Sequence, residues 1–130
     1  MGQLGLMAQA INKYGTFAVR AKDKEEAEKL INDELLLENA RRYAITLQKV
    51  PAKLAREITS KLSISMIGIG TGVFVDGQVL VRQDMLGISQ EFSPKFLRRY
   101  EKLHLIRTNA VKNYIKDVKS KEFPNENESY

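Results

Sequence analysis

The 130-residue chain contains no cysteine, one histidine and only three prolines. The lack of cysteine excludes disulfide bonds, thiolate chemistry and metal sites built on cysteine. No apolar run approaches the about 20 residues that cross a membrane. The first ten residues lack a basic segment before an apolar stretch, and they lack an N-myristoylation pattern. We therefore expect a cytoplasmic protein that has no membrane partner.

Positive charge is in modest excess, with 21 basic and 16 acidic residues and a formal net charge of +5. The bases occur as isolated pairs, Arg41-Arg42 and Arg98-Arg99, and acidic residues alternate with lysines between Lys24 and Lys29. Nucleic-acid-binding surfaces have longer basic stripes, often with interleaved aromatic residues. The pattern is more typical of solvated helix surfaces, so we expect no nucleic-acid partner.

Apolar spacing predicts strands that alternate with helices. Residues Asp23 to Glu26 have the form of a capping box, and a helix is predicted from there to about Ala40. Pro51 suits the first turn of a second helix. The remaining predicted elements are strands at 43–47, 66–69 and 79–81, and one or two helices filling roughly 94–120. This alternation predicts parallel βα units and an α/β fold.

Few residues offer chemistry. His104, the single histidine, lies beside the apolar stripe of the last predicted helix, and a packed or rim position is favoured over metal binding. The glycine-rich stretch from Gly68 to Gly72 is followed by an extended run, so it does not match a dinucleotide-binding turn, which opens into a helix. Two interpretations stay open: close backbone packing at a strand end, or a loop that borders a ligand pocket.

Five segments together resemble one enzyme family. They are MGQLGL at 1–6, LQKVP at 47–51, MIGIGTGVFVDGQVLVRQDMLG at 66–87, Pro94-Lys95-Phe96, and Glu122-Phe123-Pro124. In this order and with nearly unbroken spacing, they are similar to motifs of ketopantoate hydroxymethyltransferase, an enzyme of pantothenate biosynthesis.

The resemblance implies a partial (β/α)8 barrel, with roughly strands five or six to eight and their helices. Residues 1–121 would form the carboxyl-terminal half of the barrel, and residues 122–130 would form a polar tail. A half-barrel exposes two strand edges with unpaired backbone groups. The expected partner is therefore a separately encoded amino-terminal half, or a second copy of this chain.

The family reaction implied by the resemblance transfers a hydroxymethyl group from methylenetetrahydrofolate to 3-methyl-2-oxobutanoate. Mg²⁺ holds the keto acid, and a carboxylate removes a proton from it. Gln48 stands at the position of the family's general-base glutamate, and Gln3 stands at the position of a family histidine. The family's metal-binding acids lie upstream of Met1. The chain alone is thus expected to have no intact catalytic residue, no metal ligands and no cofactor.

Three retained residues, Gly70, Gly72 and Asp76, are candidates for lining a pocket in such a barrel. Residues at positions that shape the family's fold match, whereas residues at the positions that carry its catalytic groups differ. We therefore expect a truncated or split transferase that is inactive alone. The alternative is a non-catalytic remnant or an α/β interaction module.

Overall fold

The protein, seen in a computed structural model that describes residues 1–91 and 93–130, divides into two compact units, Met1–Leu80 and Val81–Tyr130. The first unit contains β1 (Gly2–Gly5), a 3-10 turn (Ala8–Ala10), α1 (Ile11–Tyr14), α2 (Lys24–Asn39), β2 (Ala44–Gln48), α3 (Ala52–Lys61), β3 (Ser65–Ile69) and β4 (Gly77–Gln78). The second contains α4 (Arg82–Met85), α5 (Leu103–Ser120) and a 3-10 turn (Glu126–Glu128).

The four strands form one parallel sheet in the order β1-β2-β3-β4. Gly5 lies opposite Gln48, and Gln48 lies opposite Ile69, so the carboxyl ends of the first three strands are level. Parallel neighbours need a crossover connection. Helix α2 supplies it between β1 and β2, and α3 supplies it between β2 and β3. The predicted α/β fold is confirmed.

The core of the first unit lies between the sheet and its helices. Ile45, Leu47 and Met66 are fully buried, and they form one cluster with residues of α2 and α3, namely Leu30, Ala55 and Ile58. Side chains alternate between the two faces of a strand, so Thr46 and Gln48 point to the opposite face, where both are only half-buried. The core therefore occupies one face of the sheet.

Helix α2 begins and ends close to its predicted limits. The carboxylate of Asp23 accepts a hydrogen bond from the backbone N–H of Glu26 at 2.8 Å, which caps the first turn. In the last turn, Glu38 accepts hydrogen bonds from the amide and the hydroxyl of Ser63 at 2.7 and 2.6 Å. These bonds hold the pKa of Glu38 below its ordinary value, and they join α2 to the loop before β3.

The predicted strand at 79–81 is wrong in position. The strand is Gly77–Gln78, and the last ladder contact is made by the amide of Val79, which donates to Gly68 at 3.0 Å. Val79 and Val81 are exposed, and Val81 is already the N-cap of α4. The prediction was misled by the apolar residues, because β4 consists of one glycine and one glutamine, which pair with Ile67 and Gly68 of β3.

The predicted helix over 94–120 starts too early, since α5 begins at Leu103. The chain at this point instead bonds to the end of α4. The amide of Tyr100, before α5, donates to the carbonyl of Met85 at 2.8 Å, and the amide of Leu103, the first residue of α5, donates to the carbonyl of Leu86 at 3.1 Å. These tertiary bonds replace the intrahelical bonds that helical spacing of Phe96, Leu97 and Tyr100 predicted. The short helix α4 was not predicted.

Residues 122–130, the predicted polar tail, contain the 3-10 turn Glu126–Glu128, which Asn125 caps through its side chain. The carboxylate of Glu128 accepts a hydrogen bond from the Asn125 amide at 3.0 Å, which completes a capping box. Among the helices in the described residues, none has the length and apolar composition needed to cross a membrane.

Candidate functional site

The two glutamines that stand at chemical positions of the resembled family meet in the structure. Gln3 on β1 and Gln48 at the end of β2 project from the same sheet face, and the Gln3 Nε2 donates a hydrogen bond to the Gln48 Oε1 at 3.3 Å. The parallel pairing of β1 and β2 thus brings two side chains that are 45 positions apart in sequence into contact.

The pair of glutamines can form hydrogen bonds to a ligand, but it cannot accept a proton from one. A carboxamide offers two N–H donors and one carbonyl acceptor, and it has no proton-accepting state near neutral pH. Neither Gln3 nor Gln48 can therefore act as a general base, for which carboxylates and imidazoles are the usual groups. The bond between them uses one donor and one acceptor, so both side chains keep further polar atoms for a ligand.

Lys49, directly after Gln48, forms hydrogen bonds that hold the segment before α2 at this end of the sheet. Its backbone is left-handed with φ 55°. Its amide donates to Ile69 at 2.8 Å, its carbonyl accepts from the Arg20 amide at 2.9 Å, and its Nζ donates to the carbonyl of Phe17. Spacing alone did not reveal this contact, because the segment before α2 has no periodic pattern that predicts its path.

The glycine-rich stretch after β3 packs closely. A Cβ on Gly68 would overlap the Thr71 hydroxyl, and one on Gly72 would lie 2.5 Å from the Ala52 Cβ. Gly70 and Gly72 both have left-handed backbones, with φ 66° and 86°. These contacts support the packing interpretation, because no side chain fits at Gly68 or Gly72. Pocket lining by Gly70 and Gly72 stays a prediction.

Asp76 lies at the other end of the sheet. Its carboxylate accepts a hydrogen bond from the Met66 amide at 2.7 Å, and its own amide donates to the Met66 carbonyl at 3.0 Å. Met66 is the second residue of β3, so Asp76 braces the amino ends of β3 and β4. The structure therefore does not bring Asp76 together with Gly70, Gly72 or the glutamine pair.

The donor groups among the described residues do not form a Mg²⁺ site. Within residues 1–91 and 93–130, no group of three histidine, aspartate or glutamate side chains is placed to hold a metal ion. Mg²⁺ in proteins is usually bound through one or two carboxylates, and Gln3 and Gln48 present carboxamides instead. His104 lies at the start of α5, where its Nδ1 is 3.1 Å from the carbonyl of Gly87.

Comparison with known proteins finds the same family from the first residue to near the end of the chain. The family model described as ketopantoate hydroxymethyltransferase matches residues 1–126. The chain belongs to this family. It is 58% identical over 130 residues to a 3-methyl-2-oxobutanoate hydroxymethyltransferase of Phocaeicola vulgatus, and 59% identical to one of Bacteroides thetaiotaomicron. A relative with the same description from Christiangramia forsetii is 55% identical over the same 130 residues.

In each of these matches the alignment covers 100% of this chain and 48% of the relative. The chain thus spans about half the length of the ketopantoate hydroxymethyltransferases that it matches. The match to the family model extends through residues 1–126, and the alignments to these relatives extend through all 130 residues.

Proposed function

We propose that this chain is the carboxyl-terminal part of a (β/α)8 barrel that acts in hydroxymethyl transfer only when joined to a complementary amino-terminal half. The proposed reaction is that of the family, transfer from methylenetetrahydrofolate to 3-methyl-2-oxobutanoate, in the cytoplasm. The main support is that the chain is 58% identical to a relative of which it spans only about half the length. Its parallel sheet of four strands is also open at the β1 edge. A closed barrel would supply both the missing strands and the missing metal ligands.

The sheet has an uncovered edge and a poorly covered face. Within the part of the chain that the structure describes, β1 pairs only with β2, so its other edge has unpaired backbone groups. Gln3 is exposed and Ile67 and Ile69 are only half-buried, whereas Met66 on the opposite face is fully buried. Parallel sheets in proteins are usually covered on both faces. Closure into a barrel would make the face of Gln3 and Ile67 the interior.

An open cleft adjoins the free edge of β1. It has a volume of about 700 Å³, and its apolar lining comes from Leu4, Met7 and Leu30. Charged residues of the first and second helices form its rim, namely Lys13, Glu25, Lys29 and Asp33. We infer that a strand and helix of the complementary half would dock here, because the strand would pair with β1 and the helix would cover the apolar lining.

In the assembled barrel, this chain would contribute position and shape more than proton chemistry. Gln48 would project into the interior at the carboxyl end of β2, where barrels of this kind bind substrate, and Gln3 would lie beside it on β1. Their free amide N–H groups suit the carboxylate of a keto acid. Mg²⁺, if bound, would be held by residues outside this chain and would stabilise the enolate oxygen.

Co-expression with the amino-terminal half of the Bacteroides thetaiotaomicron relative tests the assembly. Because the chain has no cysteine, single-cysteine variants report accessibility without background. We expect Gln3→Cys to be labelled quickly by a thiol reagent in the isolated chain and at least about tenfold more slowly in the complex, because barrel closure excludes reagent from this face. Mass spectrometry of the labelled peptides provides the measurement.

Ser60→Cys is the matched control, since Ser60 is exposed on α3, away from the proposed interface. Its labelling should be unchanged by the complementary half. Equal labelling of Gln3→Cys with and without that half would contradict the docking proposal. Ketopantoate formation by the purified chain alone, at an appreciable rate, would contradict the need for a second half.

The isolated chain should also self-associate or be poorly soluble, because free edges of parallel sheets pair with other chains. Size-exclusion chromatography with light scattering would show oligomers or a loss of material. Addition of the complementary half should convert these oligomers into a defined complex. A monodisperse monomer that melts cooperatively would argue against an incomplete barrel.

A non-catalytic remnant is the second candidate. It is favoured by the bond between Gln3 and Gln48, since the side chains that meet at these positions are neutral amides and leave no ionisable group there. The DNA just upstream of the Met1 codon separates the two candidates. An adjacent reading frame for the metal-binding half supports a split enzyme, whereas a frame interrupted by stop codons supports a remnant.

A further inference from the structure

A carboxylic acid lies in the core interface between α2 and the sheet. Glu34 is completely buried, four residues after Leu30 and three before Leu37. Leu30 belongs to the core cluster, and Leu37 packs beside Gly2 of β1, where an added Cβ would lie 2.7 Å from its Cδ1. Helical spacing therefore holds Glu34 on the inner face of α2.

Neither oxygen of Glu34 has a hydrogen-bond partner among the described protein atoms. A buried carboxylate is tolerated in proteins when it is paired with a cation or receives several hydrogen bonds. Without such partners the ionised form loses its hydration and gains nothing in return. The protonated form is neutral, so it suits this site better.

The charged groups around Glu34 do not compensate its charge. Asp33, adjacent on α2, is itself an acid, and it accepts a hydrogen bond from Lys29 at 2.6 Å. Glu38, one turn later, is engaged with Ser63. β1 and β2 contain no ionisable side chain, and the ionisable residues of α3 are all exposed, namely Lys53, Arg56, Glu57 and Lys61.

We propose that Glu34 makes the packing of α2 on β1 and β2 depend on protonation, so that α2 is held firmly in weakly acidic solution and loosens as the solution becomes alkaline. The group responsible is one buried side chain in a helix–sheet interface. This device is independent of the proposed function, because it concerns the folded chain itself.

The direction follows from the titration of Glu34. Burial, with a smaller contribution from the negative charge of Asp33, raises its pKa from the ordinary value of 4.5 to about 7. The folded chain then binds this proton more tightly than the unfolded chain does. Its contribution to stability is fully present below pH 4.5 and is lost as the pH rises through about 7.

Hydrogen exchange of the α2 amides, from Lys24 to Asn39, measures this loosening in the full chain. After correction for intrinsic exchange, we expect protection to fall by roughly 10²-fold between about pH 5 and about pH 8.5. Glu34→Gln should remove most of this pH dependence, since the amide does not ionise. Glu34→Leu should also remove it and should give stronger protection than the native chain at the alkaline end.

Glu57→Gln is the matched control, because it removes an exposed carboxylate of α3 and should leave the pH dependence unchanged. If Glu34→Gln does not fold, the comparison with Glu34→Leu still decides the matter. The same decline in native chain and Glu34→Leu would overturn the proposal. A carboxyl carbon NMR titration of Glu34 with a midpoint below about pH 5.5 would overturn it too.

Discussion

Gln48→Glu in the complex with the amino-terminal half is expected to raise the rate of ketopantoate formation by roughly 10²–10⁴-fold, the usual contribution of a positioned general base. Gln48 and glutamate have nearly the same shape, so the new carboxylate would occupy the end of β2 on the interior face. Gln3 would remain its hydrogen-bond donor, as it is for the native Oε1 at 3.3 Å. The change therefore alters proton chemistry while it leaves the packing in place.

The measurement is kcat and KM for 3-methyl-2-oxobutanoate with saturating folate donor and Mg²⁺. A restored base acts in the chemical step, so kcat should increase much more than KM changes. The activity should also acquire a new acidic limb in its pH profile, since the carboxylate must be ionised to accept a proton.

Gln3→Glu is the control for this substitution. It introduces a carboxylate on the same sheet face, one strand away, and should give little or no activity. The double variant Gln3→His with Gln48→Glu restores both family positions and should be at least as active as Gln48→Glu alone. If the native complex is already active and Gln48→Glu adds nothing, residue 48 is not the position of the base.

The elements best predicted from sequence are those whose ends are determined by residues close to them in the chain. Asp23 and Glu26 identified the start of α2, and Pro51 identified the start of α3. The segment from Val79 to Tyr100 was predicted poorly. Its short elements bond to one another across loops, and a periodic pattern carries no information about such partners.

The residues proposed for the candidate site stay a prediction, whereas their geometry comes from the structure. Resemblance supplied Gln3 and Gln48, and the parallel register then explains why they touch. Asp76 lies in the stretch that resembles a family motif, yet it braces the opposite end of the sheet. Glu34 lies on the apolar stripe of α2, so its burial could have been inferred from spacing. Its lack of a partner depends on the tertiary structure.

Gly5 is a residue at which the smallest substitution should have a large effect on the fold. It ends β1 with a left-handed backbone, φ 81°. A Cβ there would overlap the carbonyl oxygen of Gln48 and lie 3.0 Å from the Val50 Cγ2. The same carbonyl oxygen accepts the hydrogen bond of the Leu6 amide at 2.9 Å, so β1 cannot move away without breaking it.

Gly5→Ala should therefore destabilise the chain by roughly 2–5 kcal/mol, the sum of the left-handed backbone penalty and of forced overpacking. Gly15→Ala is the matched control: Gly15 is also left-handed, with φ 64°, but a Cβ there has no atom within 4 Å. Its cost should be only about 1 kcal/mol, from the backbone alone. Urea denaturation of the complex measures both. Equal losses in the two variants would mean that the overlap with Gln48 relaxes freely, and the close contact between β1 and the end of β2 would then not constrain the site.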